Sequence, residues 1–293
     1  MRTGILSGDF APTNIDNLFA KIKNLGFAST QLAFASFTEI GYTPDGELEI
    51  PEKIDGGIID RIRKSAENHG IDITANTGTF NMAHPDKRVR DEGIRRFEYN
   101  AEAVSNLGCK IISLCTGSRN KAHLWRSHPD NSTPEAWADM IDTLEKCVEI
   151  AEKYGIVLAA ETEMANIINS PEKARRMMDE VNSPNLKMVM DCANLFPAGT
   201  AKKENVRGVI RSAFDVFGND VVLAHGKDIK ENLSDLSAMS DIKFCATGEG
   251  IVDYEQFIGL LSRHNYKGDM ILHGIFDEAK MPYAIEVIRK SSK

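Results

Sequence analysis

The chain has 293 residues, 42% hydrophobic and 27% charged, which is enough apolar material for one barrel-sized domain or two ordinary ones. No apolar run approaches the roughly 18–20 residues that cross a bilayer, and the first residues lack a basic region followed by an apolar stretch, so the expectation is a cytoplasmic protein with no membrane partner. A net charge of −8 without a basic stripe argues against nucleic acid, and five cysteines without a C-x-x-C pair argue against a disulfide framework or a thiolate zinc site.

Short apolar strands alternate with longer amphipathic helices from the start of the chain. A strand near 2–7 leads to a helix near 14–25, in which Leu18, Ile22 and Leu25 keep helical spacing before the stop signal Gly26. A second strand near 29–34 runs into a segment, 35–55, rich in Gly and Pro, which reads as a long surface loop. A helix at 56–69, a third strand at 71–76 and a helix at 88–106 follow. The fourth strand, 110–115, gives way to a second long loop, 116–131. Thr133 then reads as an N-cap with Pro134 at the first helical position. Trp137, Met140, Ile141, Leu144, Val148 and Ala151 form the apolar stripe of that helix, which stops before Gly155.

The fifth strand is Ile156-Val157-Leu158-Ala159-Ala160, running straight into Glu161. A continuous apolar run of this length between helices is the pattern of a strand buried on both faces of a parallel sheet. The same grammar recurs: strand six ends on Asp191, strand seven on His225 and strand eight, 269–273, on His273. Helices near 171, 204–217, 251–264 and 279–290 and a long segment at 230–250 complete the pattern. Eight strand–helix units without a low-complexity linker predict a single α/β domain over 1–293, a (β/α)8 TIM barrel. A doubly wound sheet is the alternative, but Leu6-Ser7-Gly8-Asp9-Phe10 supplies no Gly-rich phosphate turn.

In such a barrel the strand ends converge on the C-terminal face, where chemistry is placed. Two carboxylates and two imidazoles, Glu161, Asp191, His225 and His273, suit one divalent metal. The nitrogens favour Zn, Mn or Fe over Mg or Ca, and Co is compatible. Each residue singly is equally explained as a hydrogen-bonded strand-end side chain; four on successive strands point to a metal. Glu163 follows Glu161 on the same side of an extended chain. Asp228 is spaced to orient an imidazole or a sugar hydroxyl. Lys227 reads as an anion ligand or a solvated cation, and Asn194 as a hydroxyl ligand or a turn residue. His84, Trp125 and His128 lie in the loops after strands three and four, placed either for substrate or for local packing.

Several stretches resemble the xylose-isomerase-like TIM barrels, in particular the sugar phosphate isomerase/epimerase family. They are Gly78-Thr79-Phe80-Asn81-Met82-Ala83-His84-Pro85-Asp86, Thr116-Gly117-Ser118-Arg119 with His128-Pro129-Asp130-Asn131, Asp191 with Asn194-Leu195, His225-Gly226-Lys227-Asp228, and Gly248-Glu249-Gly250. The resemblance spans essentially the whole chain. It implies a divalent metal held by Glu, Asp, His and Glu at the ends of strands five to eight, and a small carbohydrate substrate. The metal would polarise a ketose carbonyl while two glutamates move a proton at the adjacent carbon. Glu161, Asp191 and His225 match; His273 stands where relatives end in Glu. Glu161 and His273 are therefore the expected catalytic pair.

The implied activity is isomerisation or epimerisation of a keto-sugar, polyol-ketone or sugar phosphate. The rivals are dehydration of a keto-polyol of the inosose type, a barrel that binds sugar without turning it over, and phosphodiester hydrolysis. The acidic charge argues against the last. The oligomeric state, a homo-oligomer included, is left open by the sequence.

Overall fold

The computed structural model describes residues 1–197, 199–231 and 243–293. Eight parallel strands close into a barrel: β1 (Thr3–Leu6), β2 (Ser29–Leu32), β3 (Asp72–Thr77), β4 (Ile111–Cys115), β5 (Val157–Glu161), β6 (Leu186–Asp191), β7 (Val221–Gly226) and β8 (Met270–Leu272). The helices are α1 (Ile15–Asn24), α2 (Gly56–His69), α3 (Lys87–Asn106), α4 (Pro134–Tyr154), α5 (Pro171–Val181), α6 (Lys203–Phe217), α7 (Tyr254–Arg263) and α8 (Met281–Ser291). The expected single α/β barrel is the fold found. Of the expected long segment at 230–250, residues 232–242 lie outside the described residues; Asp228–Ile229 and Phe244–Cys245 on either side pair as a short antiparallel ribbon.

The local rules operate as read from the sequence. The Thr133 hydroxyl accepts the Ala136 N–H at the start of α4, and Gly155 ends the helix in the left-handed region at φ 65°, which costs a residue without Cβ nothing. Helix α7 begins three residues later than expected because Asp253 caps it, accepting the Gln256 N–H. Two apolar layers result. The larger lies between strands and helices; the smaller fills the barrel with Ala75, Ala159, Val189, Leu223 and Ile271.

Two details of the sheet position the site. A register shift between β6 and β7, where Met188 and Val189 pair with Val221 and Leu223 and Val222 of β7 is left over, sets Asp191 opposite His225. Without that bulge Asp191 would pair one residue earlier, and a one-residue slip turns a strand's side chains to the other face. At the opposite, N-terminal end, Arg2 donates from Nε and Nη2 to the two Asp269 carboxylate oxygens at 2.9 and 2.8 Å, and Ser29 Oγ donates to Oδ2 at 2.6 Å. This clasp ties the starts of β1, β2 and β8 where the barrel closes.

Candidate active site

Three side chains at the ends of β5, β6 and β7 bring one donor atom each to within 4.8 Å of one another: Glu161, Asp191 and His225. All three are buried. In each group one polar atom is anchored and the other is left facing its neighbours. Asp191 Oδ1 accepts the Ala193 N–H at 2.9 Å, leaving Oδ2. Glu161 Oε1 accepts the Asn194 amide at 2.6 Å, leaving Oε2. His225 Nε2 donates to Gln31 Oε1 at 2.8 Å, leaving Nδ1. The Gln31 amide cannot serve in the reverse sense, because its Nε2 already donates to Thr77 Oγ1 and Ser113 Oγ.

The atoms left over have no hydrogen-bond geometry among themselves. His225 Nδ1 is 3.5 Å from Glu161 Oε2 and 3.6 Å from Asp191 Oδ2, and both Nδ1 and Asp191 Oδ2 are buried without a partner. Orphaned buried polar atoms are costly. Two ligands each about 2.1 Å from a tetrahedral ion stand about 3.4 Å apart, so the spacing and the unmet valences fit a divalent cation. The electrostatics agree. Burial alone would depress the His225 imidazole, but the Glu161 charge and the proximity of Asp191 overcome it and raise it to about 9. Burial would raise Asp191, yet Lys227 and His225 bring it down to about 2. The cluster draws positive charge.

The fourth expected ligand, His273, is not in this group. Strand β8 ends at Leu272, and the His273 ring turns toward β1, its Nδ1 lying 3.2 Å from Asp9 Oδ1. Asp9 is fixed in turn: it is buried, and its Oδ2 accepts the Ile275 N–H at 2.8 Å. The His273 ring meets that of His225 edge to face, centroids 5.5 Å apart. The last strand thus presents a carboxylate–imidazole pair beside the three-donor cluster.

Of the other residues expected to meet substrate, Trp125, Glu163, Asn194 and Lys227 line, with Glu161 and His273, a cavity of about 610 Å³ above the cluster. Lys227 Nζ donates to Asn194 Oδ1 at 3.0 Å and lies 3.9 Å from Asp191 Oδ2. Burial would lower Lys227, but Asp191 and the two glutamates raise it, so it stays charged. Burial raises Glu163. His84, His128 and Asp228 are placed elsewhere. His84 is packed in its loop, where Nδ1 accepts the Asp86 N–H and the carbonyl accepts from Arg90. His128 caps a one-turn helix by accepting the Asp130 N–H, and it faces a separate surface hollow. Asp228 is fully buried and accepts the N–H groups of Ile229, Gly248, Gly250 and Val252, so it shapes the β7 loop.

Asp9 and Gln31 were not singled out from the sequence. Asp9 repeats the signal used for the later strands, a polar residue just past an apolar run. Gln31 is a polar residue inside a strand buried throughout.

Comparison with known proteins decides the family. The model for the xylose isomerase-like TIM barrel matches residues 19–291. The chain belongs to this family. Among curated members, an inosose dehydratase of Glaesserella parasuis serovar 5 (strain SH0165) is 22% identical over 204 residues. That match covers 65% of this chain and 66% of the relative, just under two thirds of its length. Among solved members, the 3-keto-D-glucoside 4-epimerase from E. coli superposes with a TM-score of 0.69 at 19% identity, covering 99% of both chains. The IolI protein with a bound zinc atom superposes with a TM-score of 0.72 at 16% identity, covering 100% of this chain and 96% of the other. No helix among the described residues is long and apolar enough to cross a membrane.

Proposed function

We propose that this protein is a metal-dependent isomerase or epimerase that moves a proton on the carbon beside the carbonyl of a keto-sugar, polyol-ketone or sugar phosphate. The observation that carries the reading is the set of three buried donors, each with its second polar atom anchored and its first left unmet. Glu161, Asp191 and His225 would hold the ion, with Zn, Mn or Fe favoured by one nitrogen and two carboxylates. When bound there, a divalent cation supplies Lewis-acid polarisation of a carbonyl oxygen.

The remaining work falls to this chain's own groups. Glu161 accepts the proton from carbon, its carboxylate held at a fixed angle by Asn194. His273 is the second proton carrier in place of the relatives' glutamate, its imidazole oriented by Asp9 as a carboxylate orients a catalytic histidine. Asn194, Glu163 and Lys227 bind hydroxyls, and Trp125 covers the apolar face of the ring. The names of the curated members favour a second reading, loss of water from a keto-polyol, and the same pair of proton carriers serves it. The carbohydrate partner follows from the reading, with no nucleic acid or membrane partner. The cytoplasmic setting is supported by five free cysteines, four of them buried.

The test is metal analysis of purified protein together with solvent deuterium uptake into a panel of ketoses. The expected result is about one divalent ion per chain, lost in Glu161→Ala, and deuterium at one carbon of a ketose. A metal-free protein that still exchanges deuterium would sink the proposal. Release of an unsaturated product without epimer exchange would select the dehydratase reading.

A further inference from the structure

The catalytic face toward β1, β2 and β3 is walled by many polar groups, and most of them are already engaged. Gln31 Nε2 donates to Thr77 Oγ1 and Ser113 Oγ, and its Oε1 accepts from His225. Asp9 is held by His273 and the Ile275 N–H. Ser36 Oγ meets Ser7 Oγ at 2.9 Å. Three groups on the same cavity of about 340 Å³ are left over: Glu49, Thr77 and Thr79. Thr77 Oγ1 accepts from Gln31 at 3.1 Å and Thr79 Oγ1 accepts the Cys115 N–H at 3.3 Å. Neither hydroxyl proton has an acceptor among the described residues, so both threonines still have a proton to give.

Backbone pairing sets Glu49 in place. The Asn81 N–H donates to Glu47 O at 2.7 Å and the Glu49 N–H to Thr79 O at 3.2 Å, with Leu48 opposite Phe80, so 47–49 and 79–81 run antiparallel. Residues opposite one another across such a pair turn their side chains to the same side, which puts Glu49 beside Thr79 on the cavity wall. The Leu124 N–H donates to Gly46 O at 2.7 Å and ties the same loop to the one after β4. The Glu49 carboxylate is half-buried, and no lysine, arginine or histidine among the described residues pairs with it; residues 232–242 contain none. Burial pushes its carboxyl up, and the Trp125 indole opposes this without cancelling it. A carboxylate without a cation, next to two hydroxyls with protons to give, suits a ligand group that both donates and accepts.

A hydroxyl is such a group. A phosphate dianion or a carboxylate has no proton for Glu49 and is repelled by it. Strand β3 stands four strands from β7 in either direction around the barrel, so a hydroxyl bound here lies across the mouth from the His225 side of the cage. We propose that Glu49, with Thr77 and Thr79, is the specificity-determining group of this site: it binds a free hydroxyl of the substrate across the mouth from the carbonyl and turns away a substrate that carries an anionic group there. This rests on the ketone reading above and adds to it the residues that select among ketones.

The test is calorimetric titration of the full chain, loaded with manganese, against dihydroxyacetone, D-fructose and D-fructose 6-phosphate, in the parent and in Glu49→Gln and Glu49→Ala. The parent is expected to bind fructose ahead of its phosphate. Both variants should bind fructose about tenfold or more weakly, the effect of losing a hydrogen bond to a charged group. Dihydroxyacetone lacks the carbons to cross from the cage to β3, so its binding should move by less than about twofold. Glu49→Gln keeps the shape of the side chain and removes the charge, so the fructose-to-phosphate ratio should fall about tenfold in it. Unchanged fructose binding in both variants, or a parent that prefers the phosphate, overturns the assignment and leaves the ketone reading standing. Parallel loss of both unphosphorylated ketones, or of the metal, overturns it as well by making Glu49 a structural residue. Failure of all three ketones to bind the metal-loaded parent removes the ketone reading itself, and this one with it.

Discussion

The two halves of the catalytic face are built on opposite principles. At the ends of β5, β6 and β7, buried polar atoms are held apart with no partner between them. At the ends of β8 and β1, His273 and Asp9 satisfy one another, and the His273 side chain is 25% exposed to the cavity. The first arrangement leaves His225 Nδ1 and Asp191 Oδ2 buried without a hydrogen bond, so it reads as a cage for a cation. The second is complete by itself and open to a ligand, as a proton carrier has to be. Proximity on one barrel face therefore does not make a ligand set; the proposed ligands are the clustered groups whose facing atoms are left unmet.

Substitutions at the cage should separate it most sharply from its neighbour. Asp191→Ala is expected to abolish metal retention and to lower turnover by about 1,000-fold or more, since a bound cation supplies several kcal/mol to such reactions. Metal content by mass spectrometry checks the first part, and residual metal near one per chain would contradict it. Asp9→Asn should leave metal content unchanged while lowering kcat about 100-fold with little change in KM. If it strips the metal instead, His273 belongs to the cage and the contrast fails. Gln31→Leu frees the His225 ring to rotate and should weaken metal affinity about 10- to 100-fold, the usual effect of an outer partner of a ligand; titration against a chelator reads this directly.

The smallest effect is expected far from both halves, at the clasp on the N-terminal face. Asp269→Asn should cost about 1.5–3 kcal/mol of stability, the range for hydrogen bonds to a charged group, with turnover unchanged. Burial pushes the Asp269 carboxyl up, but the Arg2 and Ser29 hydrogen bonds outweigh it and hold the group below its ordinary range. Its stabilisation is therefore complete above the unfolded value of about 3.9 and is lost as pH falls through the depressed one. The acid limb of a melting-temperature profile should be shallower in the variant than in the parent. A loss of turnover instead would deny the division between a stability face and a catalytic face.

Much of this was legible in the chain. An apolar run closed by a carboxylate or imidazole states both that a strand is buried and that its last residue emerges at the end where ligands gather. That is why the sequence points to Glu161, Asp191 and His225, whose donor atoms the fold gathers within 4.8 Å. The capping residues Thr133 and Gly155 likewise marked their helix ends by local chemistry alone. The same local signals did not distinguish substrate from local contacts for His84, His128 and Asp228. A polar residue after a strand looks alike whether it faces a cavity or holds backbone N–H groups in a loop.

What the sequence by itself determined is the architecture and the three donors, because hydrophobic periodicity and strand-end chemistry are properties of neighbours along the chain. The tertiary structure alone set His273 beside Asp9, brought the Asn194 amide to Glu161 Oε1 and turned Gln31 Oε1 to His225 Nε2. Each of these joins residues far apart in sequence, and the His273–Asp9 pair forms only where β8 closes against β1. The direction of a side chain across that seam is settled by its partners in space, which no local pattern records.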